Sequence, residues 1–125
     1  MKIQRSAEDY LEAILQLREQ LGAVRSIDIA RHLDYSKPSV SVAMKNLRAE
    51  GYIEMDPDGF ITLLPAGQVI AEHIYELHRL LRDFFLSLGV SPENAEADAC
   101  KIEHDLSQET CQRLMEHIRA QQHKM

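Results

Sequence analysis

The sequence predicts a mainly α-helical chain: a helical N-terminal unit that closes on one small β-hairpin, followed by a second, purely helical unit. Three observations predict it. Apolar residues recur at three- and four-residue intervals over residues 6–50 and again over 65–118, and alternation appears only in "YIEM" and "FITLL". Between those two short runs stands "DPDG", with Pro and Gly where a hairpin turn wants them.

The first helix is signalled by Ser6 and the acids after it, then by Tyr10, Ile14, Leu17 and Leu21, with Gly22 as its stop. Asp9 and Glu12 lie off that stripe. A short second helix follows "VRS", with Ser26 as N-cap and Ile27, Ala30 and Leu33 facing inward, and ends near "DYS". Ser36 caps a third helix with Pro38 in its first turn and Val40, Met44 and Leu47 at i, i+4 and i+7, before Gly51 closes it. Helix, short turn, helix and hairpin make the layout of a winged helix-turn-helix, assigned to residues 1–64.

From Pro65 to about Leu88 a long helix carries Val69, Ile70, Ile74, Leu77, Leu81 and Phe84 on its apolar side, with Gly89 just past its end. Ser91 and Pro92 open a further helix with the stripe Ala95, Ala99, Ile102 and Leu106. Ser107 caps a last one with Cys111, Leu114, Met115 and Ile118, and the tail "QQHKM" is expected to fray. A helical hairpin of this size buries little by itself. Residues 65–125 are therefore expected to pack on the long helix and on a second copy of the chain, as an α-helical dimerisation domain.

Composition narrows the class. With 45% hydrophobic and 27% charged residues the chain is ordinary for a globular protein. No apolar run approaches the roughly 18 residues that span a bilayer, and the opening "MKIQRSAEDY" lacks a signal-peptide core, so a cytoplasmic protein without a membrane partner is expected. Two cysteines in neither a CxxC pair nor a dense framework read as reduced thiols. A net charge of −6 argues against general affinity for nucleic acid. The acid excess leans to the second half: residues 1–64 hold 8 basic against 10 acidic side chains and residues 65–125 hold 6 against 10. A bound divalent cation would partly cancel it.

Two constellations carry chemistry. The third helix, "SKPSVSVAMKNLRAE", places small residues at its N-terminus, where a recognition helix meets base edges. Ser36, Pro38, Ser39 and Val42 are the base-facing candidates, and Lys37 and Lys45 the phosphate contacts. On the plainer reading the serines only cap the helix and the lysines only solvate it. Asp56 and Asp58 at the wing tip would repel phosphate, so the wing is not expected to enter a groove.

The second constellation is "CKIEHDLS", residues 100–107, where Cys100, Glu103 and His104 stand at i, i+3 and i+4 and would share one arc of a helix. Asp9 and Glu12 form an i, i+3 acid pair, and His78 interrupts the apolar run "YELHRLLRDFF". Each has an ordinary reading: acids offsetting a helix dipole, a hydrogen-bonded interface histidine, a small buried thiol. Spacing alone leaves the choice open.

The stretches "SAEDYLEAILQL", "IDIARHLDYSKPSVSVAMKNLRAEGYI", "ITLLPAGQVIA", "HRLLRDFFLSLGV" and "CKIEHDLS" resemble the DtxR/MntR family of metal-dependent transcriptional repressors, in that family's order and spacing. The resemblance implies a winged helix followed by a helical dimerisation domain, with metal ligands at Asp9, Glu12, His78, Cys100, Glu103 and His104. It also implies a hybrid, since acids at 9 and 12 suit the manganese-sensing branch and Cys100 the iron-sensing one. A thiolate moves preference toward Fe2+, Co2+ or Zn2+, while the oxygen donors still suit Mn2+. Fe2+ or Mn2+ is expected, one or two ions per chain. The iron branch's additional site falls on Arg82 and Glu96, which read instead as an ion pair. The sequence ends without the SH3-like domain of longer members, so a short form is expected.

The expected function is a homodimeric repressor in which the metal acts as corepressor for binding a palindromic operator in double-stranded DNA, controlling metal-homeostasis genes. The alternative is a winged-helix regulator that senses oxidation through Cys100. No separate acid and base mark an enzyme, and no small organic substrate is expected.

Overall fold

A computed structural model describes residues 5–123 and divides the chain into two compact units, residues 1–72 and 73–125. In the first, α1 (Arg5–Leu21) buries Tyr10, Leu11, Ala13, Ile14, Leu15 and Leu17. Each fully buried leucine or isoleucine there stabilises the unit by about 2 kcal/mol. The helix ends where Gly22 turns to a φ of +82°, a conformation that costs glycine nothing, and its N–H reaches the Arg18 carbonyl at 2.9 Å.

In α2 (Ser26–Leu33) the cap is Arg25 and not Ser26: the Asp28 carboxylate accepts the Arg25 N–H at 2.9 Å, holding the start of the helix from its third residue. The buried face accordingly centres on Ile29 and Ala30, with the expected Ile27 and Leu33 only half-buried. Asp34, at a φ of 58°, ends the helix. The next helix, α3 (Lys37–Ala49), starts at Ser36, whose Oγ accepts the Ser39 N–H at 3.3 Å, and it buries Val40, Met44 and Leu47 as their spacing predicts.

Strands β1 (Ile53–Met55) and β2 (Ile61–Leu63) pair antiparallel, Ile53 opposite Leu63 and Met55 opposite Ile61. The Asp56 carboxylate closes the turn by accepting the N–H groups of Asp58 and Phe60, both at 2.9 Å. The hairpin is anchored at Val24, whose carbonyl accepts the Ile61 N–H at 2.8 Å, and the Arg25 guanidinium lies 4.2 Å from the centre of the Phe60 ring.

The long helix α4 (Pro65–Ser87) begins in the first unit. A Cβ at Gly67 would overlap the Tyr52 carbonyl, and the Leu64 N–H donates to that same carbonyl at 2.9 Å, so the first turn of α4 lies on the chain entering the hairpin. This close approach explains why the units part within α4 and not at its first residue. Val69 is 67% exposed and Ala71 is buried in its stead.

In the second unit the rest of α4 packs with α5 (Pro92–Ile102) and α6 (Gln108–His123). The core is Leu77, Leu80, Leu81, Ala99, Cys111, Met115 and Ile118, ringed by half-buried Phe84, Phe85, Ile102, Leu106 and Leu114. Ser91 and Ser107 cap their helices by accepting the N–H groups of Asn94 and Thr110. The last helix continues through His123, so the first three residues of the tail are helical; Lys124 and Met125 lie outside the described residues. Among the described residues, no helix is long and apolar enough to cross a membrane.

Candidate metal centre and recognition face

In the second unit His78 projects from α4 into the interior and is 4% exposed. Its Nδ1 lies 2.7 Å from Oε2 of Glu103 and its Nε2 2.8 Å from Oε1 of Glu96. Glu103, 2% exposed, has its other oxygen 3.2 Å from Nε2 of His104. One buried carboxylate thus stands between two imidazoles.

Sequence spacing puts Cys100, Glu103 and His104 on one helical arc, and here the structure differs. The helix α5 ends at Ile102, Glu103 is its C-cap and His104 lies in the turn that follows. The turn has a physical reason, since the chain must reverse before Ser107 can cap α6. It leaves Cys100 exposed on α5 while the Glu103 and His104 side chains are withdrawn from solvent. Among the described residues, no three donor atoms within 4.8 Å of one another include Cys100.

The Glu103 hydrogen bond is the largest influence on His78 and raises its pKa; burial opposes it, and the charges of Glu103 and then the contact with Glu96 reinforce it, giving a value of about 9 against the ordinary 6.5. At neutral pH the ring is therefore an imidazolium that donates from both nitrogens. Nitrogen and oxygen donors gathered around a proton suit a divalent transition ion, which takes the proton's place when imidazole gives it up.

In the first unit Asp9 is half-buried on α1 and Glu12 is 7% exposed. Because α1 starts at Arg5, Glu12 lies beyond the first turn, where offsetting the helix dipole does not account for burying a carboxylate. Gln16 Nε2 donates to Glu12 Oε2 at 3.4 Å, and Gln16 Oε1 lies 3.1 Å from His32 Nε2 on α2.

The third helix presents a clear face. Ser36, Lys37, Pro38, Ser39, Val42 and Lys45 are all exposed, Val42 by 60%, while Val40, Met44 and Leu47 are buried. The Ser36 hydroxyl donates to Ser39 Oγ at 2.8 Å while accepting at the cap, so both serines take part in starting the helix. Asp56, one of the two acids at the wing tip, is engaged in forming the turn.

Residues 2–60 match the iron dependent repressor, N-terminal DNA binding domain, and residues 64–124 match the iron dependent repressor, metal binding and dimerisation domain. The chain belongs to this family. The transcriptional regulator MntR of Salmonella typhimurium is 41% identical over 103 residues, 82% of this chain and 66% of that protein. An uncharacterised HTH-type transcriptional regulator of Methanocaldococcus jannaschii is 34% identical over 111 residues, covering 87% and 89% of the two. Among solved structures, the manganese regulator SloR superposes with a TM-score of 0.77 at 29% identity, over 90% of this chain and 53% of that one. The chain thus spans about two thirds of the Salmonella relative and about half of SloR.

In the second unit the side chain that sequence reasoning passed over is Glu96. It was legible only as a partner for Arg82, and that pair is present, Nη1 to Oε2 at 3.8 Å. One signal did exist: Glu96 and Glu103 are seven residues apart, two helical turns, so they share a side of α5 and its cap.

Proposed function

We propose that this protein is a metal-responsive transcriptional repressor whose homodimer binds double-stranded operator DNA when it holds a divalent ion, Fe2+ or Mn2+. The proposed donors are Asp9, Glu12, His78, Cys100, Glu103 and His104. One observation carries the reading: the buried Glu103 carboxylate between His78 and His104, in a chain whose other unit exposes a recognition helix. Borderline nitrogen donors with hard oxygens fit Mn2+ and Fe2+, and also take Zn2+ or Co2+. The bound ion would supply the positive charge that draws the carboxylates together.

The chain's own residues do the rest. His78 gives up a proton held against Glu103, and Glu103 presents one oxygen to each imidazole. Asp9 and Glu12 lie on the helix that packs under α2 and α3, so fixing them acts on the unit that reads DNA. In the dimer, Ser36, Pro38, Ser39 and Val42 would meet base edges, Lys37 and Lys45 would meet phosphates, and two such helices would enter successive major grooves of a palindrome about 34 Å apart. These roles are recognition, not catalysis. The setting is cytoplasmic, and the regulated genes would serve uptake or storage of the same metal. No observation favours control through oxidation of Cys100.

The test is anaerobic fluorescence anisotropy on DNA selected from a random pool, with Mn2+ and Fe2+ titrated in turn. Metal should raise affinity and a chelator should reverse it; binding that ignores both would overturn the proposal.

A further inference from the structure

The contacts of His78 assign a role to a residue outside the proposed donor set. Glu103 and His78 approach through Nδ1, at 2.7 Å, and Nε2 points the other way, to Glu96 at 2.8 Å. If both residues bind one ion, as the proposed function holds, the ring nitrogen that faces Glu103 is the one available to it. The far nitrogen then keeps its proton and its carboxylate. A histidine that binds metal through one nitrogen is commonly held in tautomer and orientation by a carboxylate on the other.

We propose that Glu96 is a positioning residue for the metal centre: by accepting the Nε2–H of His78 it fixes the ring with Nδ1 toward Glu103 and makes that nitrogen a better donor. Glu96 is in turn flanked by the Arg82 guanidinium at 3.8 Å. Arg82 lies on α4 one turn beyond His78 and Glu96 lies on α5, so the three side chains form a line from Arg82 through Glu96 to the ring. The Glu96 side chain is 56% exposed, so solvent screens it and the effect falls at the low end of what such outer carboxylates contribute, about tenfold in metal affinity. Its exposure also means that its removal should leave the core intact. Arg82 touches only the outer oxygen and should matter less.

The experiment uses the full chain, with Mn2+ alone as probe and free Mn2+ read by electron paramagnetic resonance. Glu96→Ala should weaken binding about tenfold, Glu96→Gln, which keeps an acceptor without the charge, by less, and Arg82→Ala by less again, with thermal midpoints of the metal-free proteins close to wild type. In the Zn2+-loaded protein, 15N NMR should show His78 protonated at Nε2, and Glu96→Ala should shift that resonance. Wild-type affinity in Glu96→Ala, alongside lost affinity in His78→Ala, overturns the role of Glu96 and leaves the ligand set standing. Unchanged affinity in His78→Ala itself overturns both. A His78 protonated at Nδ1 in the loaded protein also overturns it.

Discussion

The two units put the side chains proposed for recognition and for metal binding in opposite settings. In the first, Lys37, Pro38, Val42 and Lys45 are exposed on an unbroken helix whose other side is core. In the second, His78 and Glu103 are buried, and Glu103 and His104 lie where a helix stops. The contrast follows from what each would meet. A duplex is a large, hydrated polyanion that is approached from solvent, so its contacts must stand out from a rigid element. A small cation binds tightly only where water is displaced and charges are matched, so its donors must be withdrawn and held by one another in its absence. Changes in the buried set should therefore act steeply, and changes on the exposed face gradually.

Glu103→Gln is the largest test of that contrast. Loss of a donor's charge between two imidazoles should lower Mn2+ affinity by more than the roughly hundredfold that an outer carboxylate can contribute, and abolish metal-stimulated DNA binding. Sedimentation should still find the same oligomer, because the cluster of Leu77, Leu81 and Met115 is untouched. Retention of a full metal response would refute the role of Glu103.

Acidity gives the next effect. His78 faces Glu103 and Glu96, Glu103 also faces His104, and Arg82 flanks Glu96. The folded pKa of His78 is raised, to about 9 from 6.5, so the ring's contribution to stability of the metal-free protein is fully present below about pH 6.5 and is lost as pH rises through about 9. Thermal melts in chelator should show a loss on the order of 3 kcal/mol across that window, absent in His78→Gln. Metal affinity should move the other way and rise about tenfold per pH unit toward 9, since the ion displaces one proton.

Gly67→Ala tests the first unit without touching either proposed site. The added methyl meets the Tyr52 carbonyl, which cannot move without the chain entering β1, and about 1–3 kcal/mol of destabilisation should appear in denaturant melts. The metal affinity of the folded protein should be unchanged.

Much of this was legible in the residues. The periods of α1, α3, α4 and α6 and the caps at Ser36, Ser91 and Ser107 follow from local rules, and so does the "DPDG" turn. What escaped was set by competition between local signals and by packing against other elements. The cap of α2 moved to Arg25 because Asp28 reaches back, and Val69 lost its place to Ala71. The end of α5 at Ile102 depended on the reversal into α6, which no spacing of Cys, Glu and His records. The six proposed donors were named from the resemblance and their spacing. Glu96 was passed over because its partner His78 is far off in the chain, and an exposed glutamate on a helix has no distinguishing pattern.

Cys100 sharpens the comparison, being the proposed donor that lies exposed like the residues proposed to face DNA. If it contributes a soft ligand, Cys100→Glu should shift preference toward Mn2+ over Zn2+ by about fivefold to tenfold in competition titrations. An unchanged ratio would mean that the thiol does not reach the ion.

The smallest effect belongs to Lys45, and its form matters more than its size. A lysine that contacts phosphate contributes through counterion release, so Lys45→Ala should weaken metal-loaded DNA binding only about threefold to tenfold and equally on every sequence. It should lower the slope of log affinity against log salt by about one. Val42→Ala, by contrast, should cost little on random DNA and more on a selected site with thymine beneath it, leaving the salt slope alone. Measured together by anisotropy across a salt series, the two variants separate a side chain that holds the duplex from one that reads it. If Lys45→Ala changed base preference and left the slope intact, the face of α3 would be set on the DNA in a different register from the one its exposed residues imply.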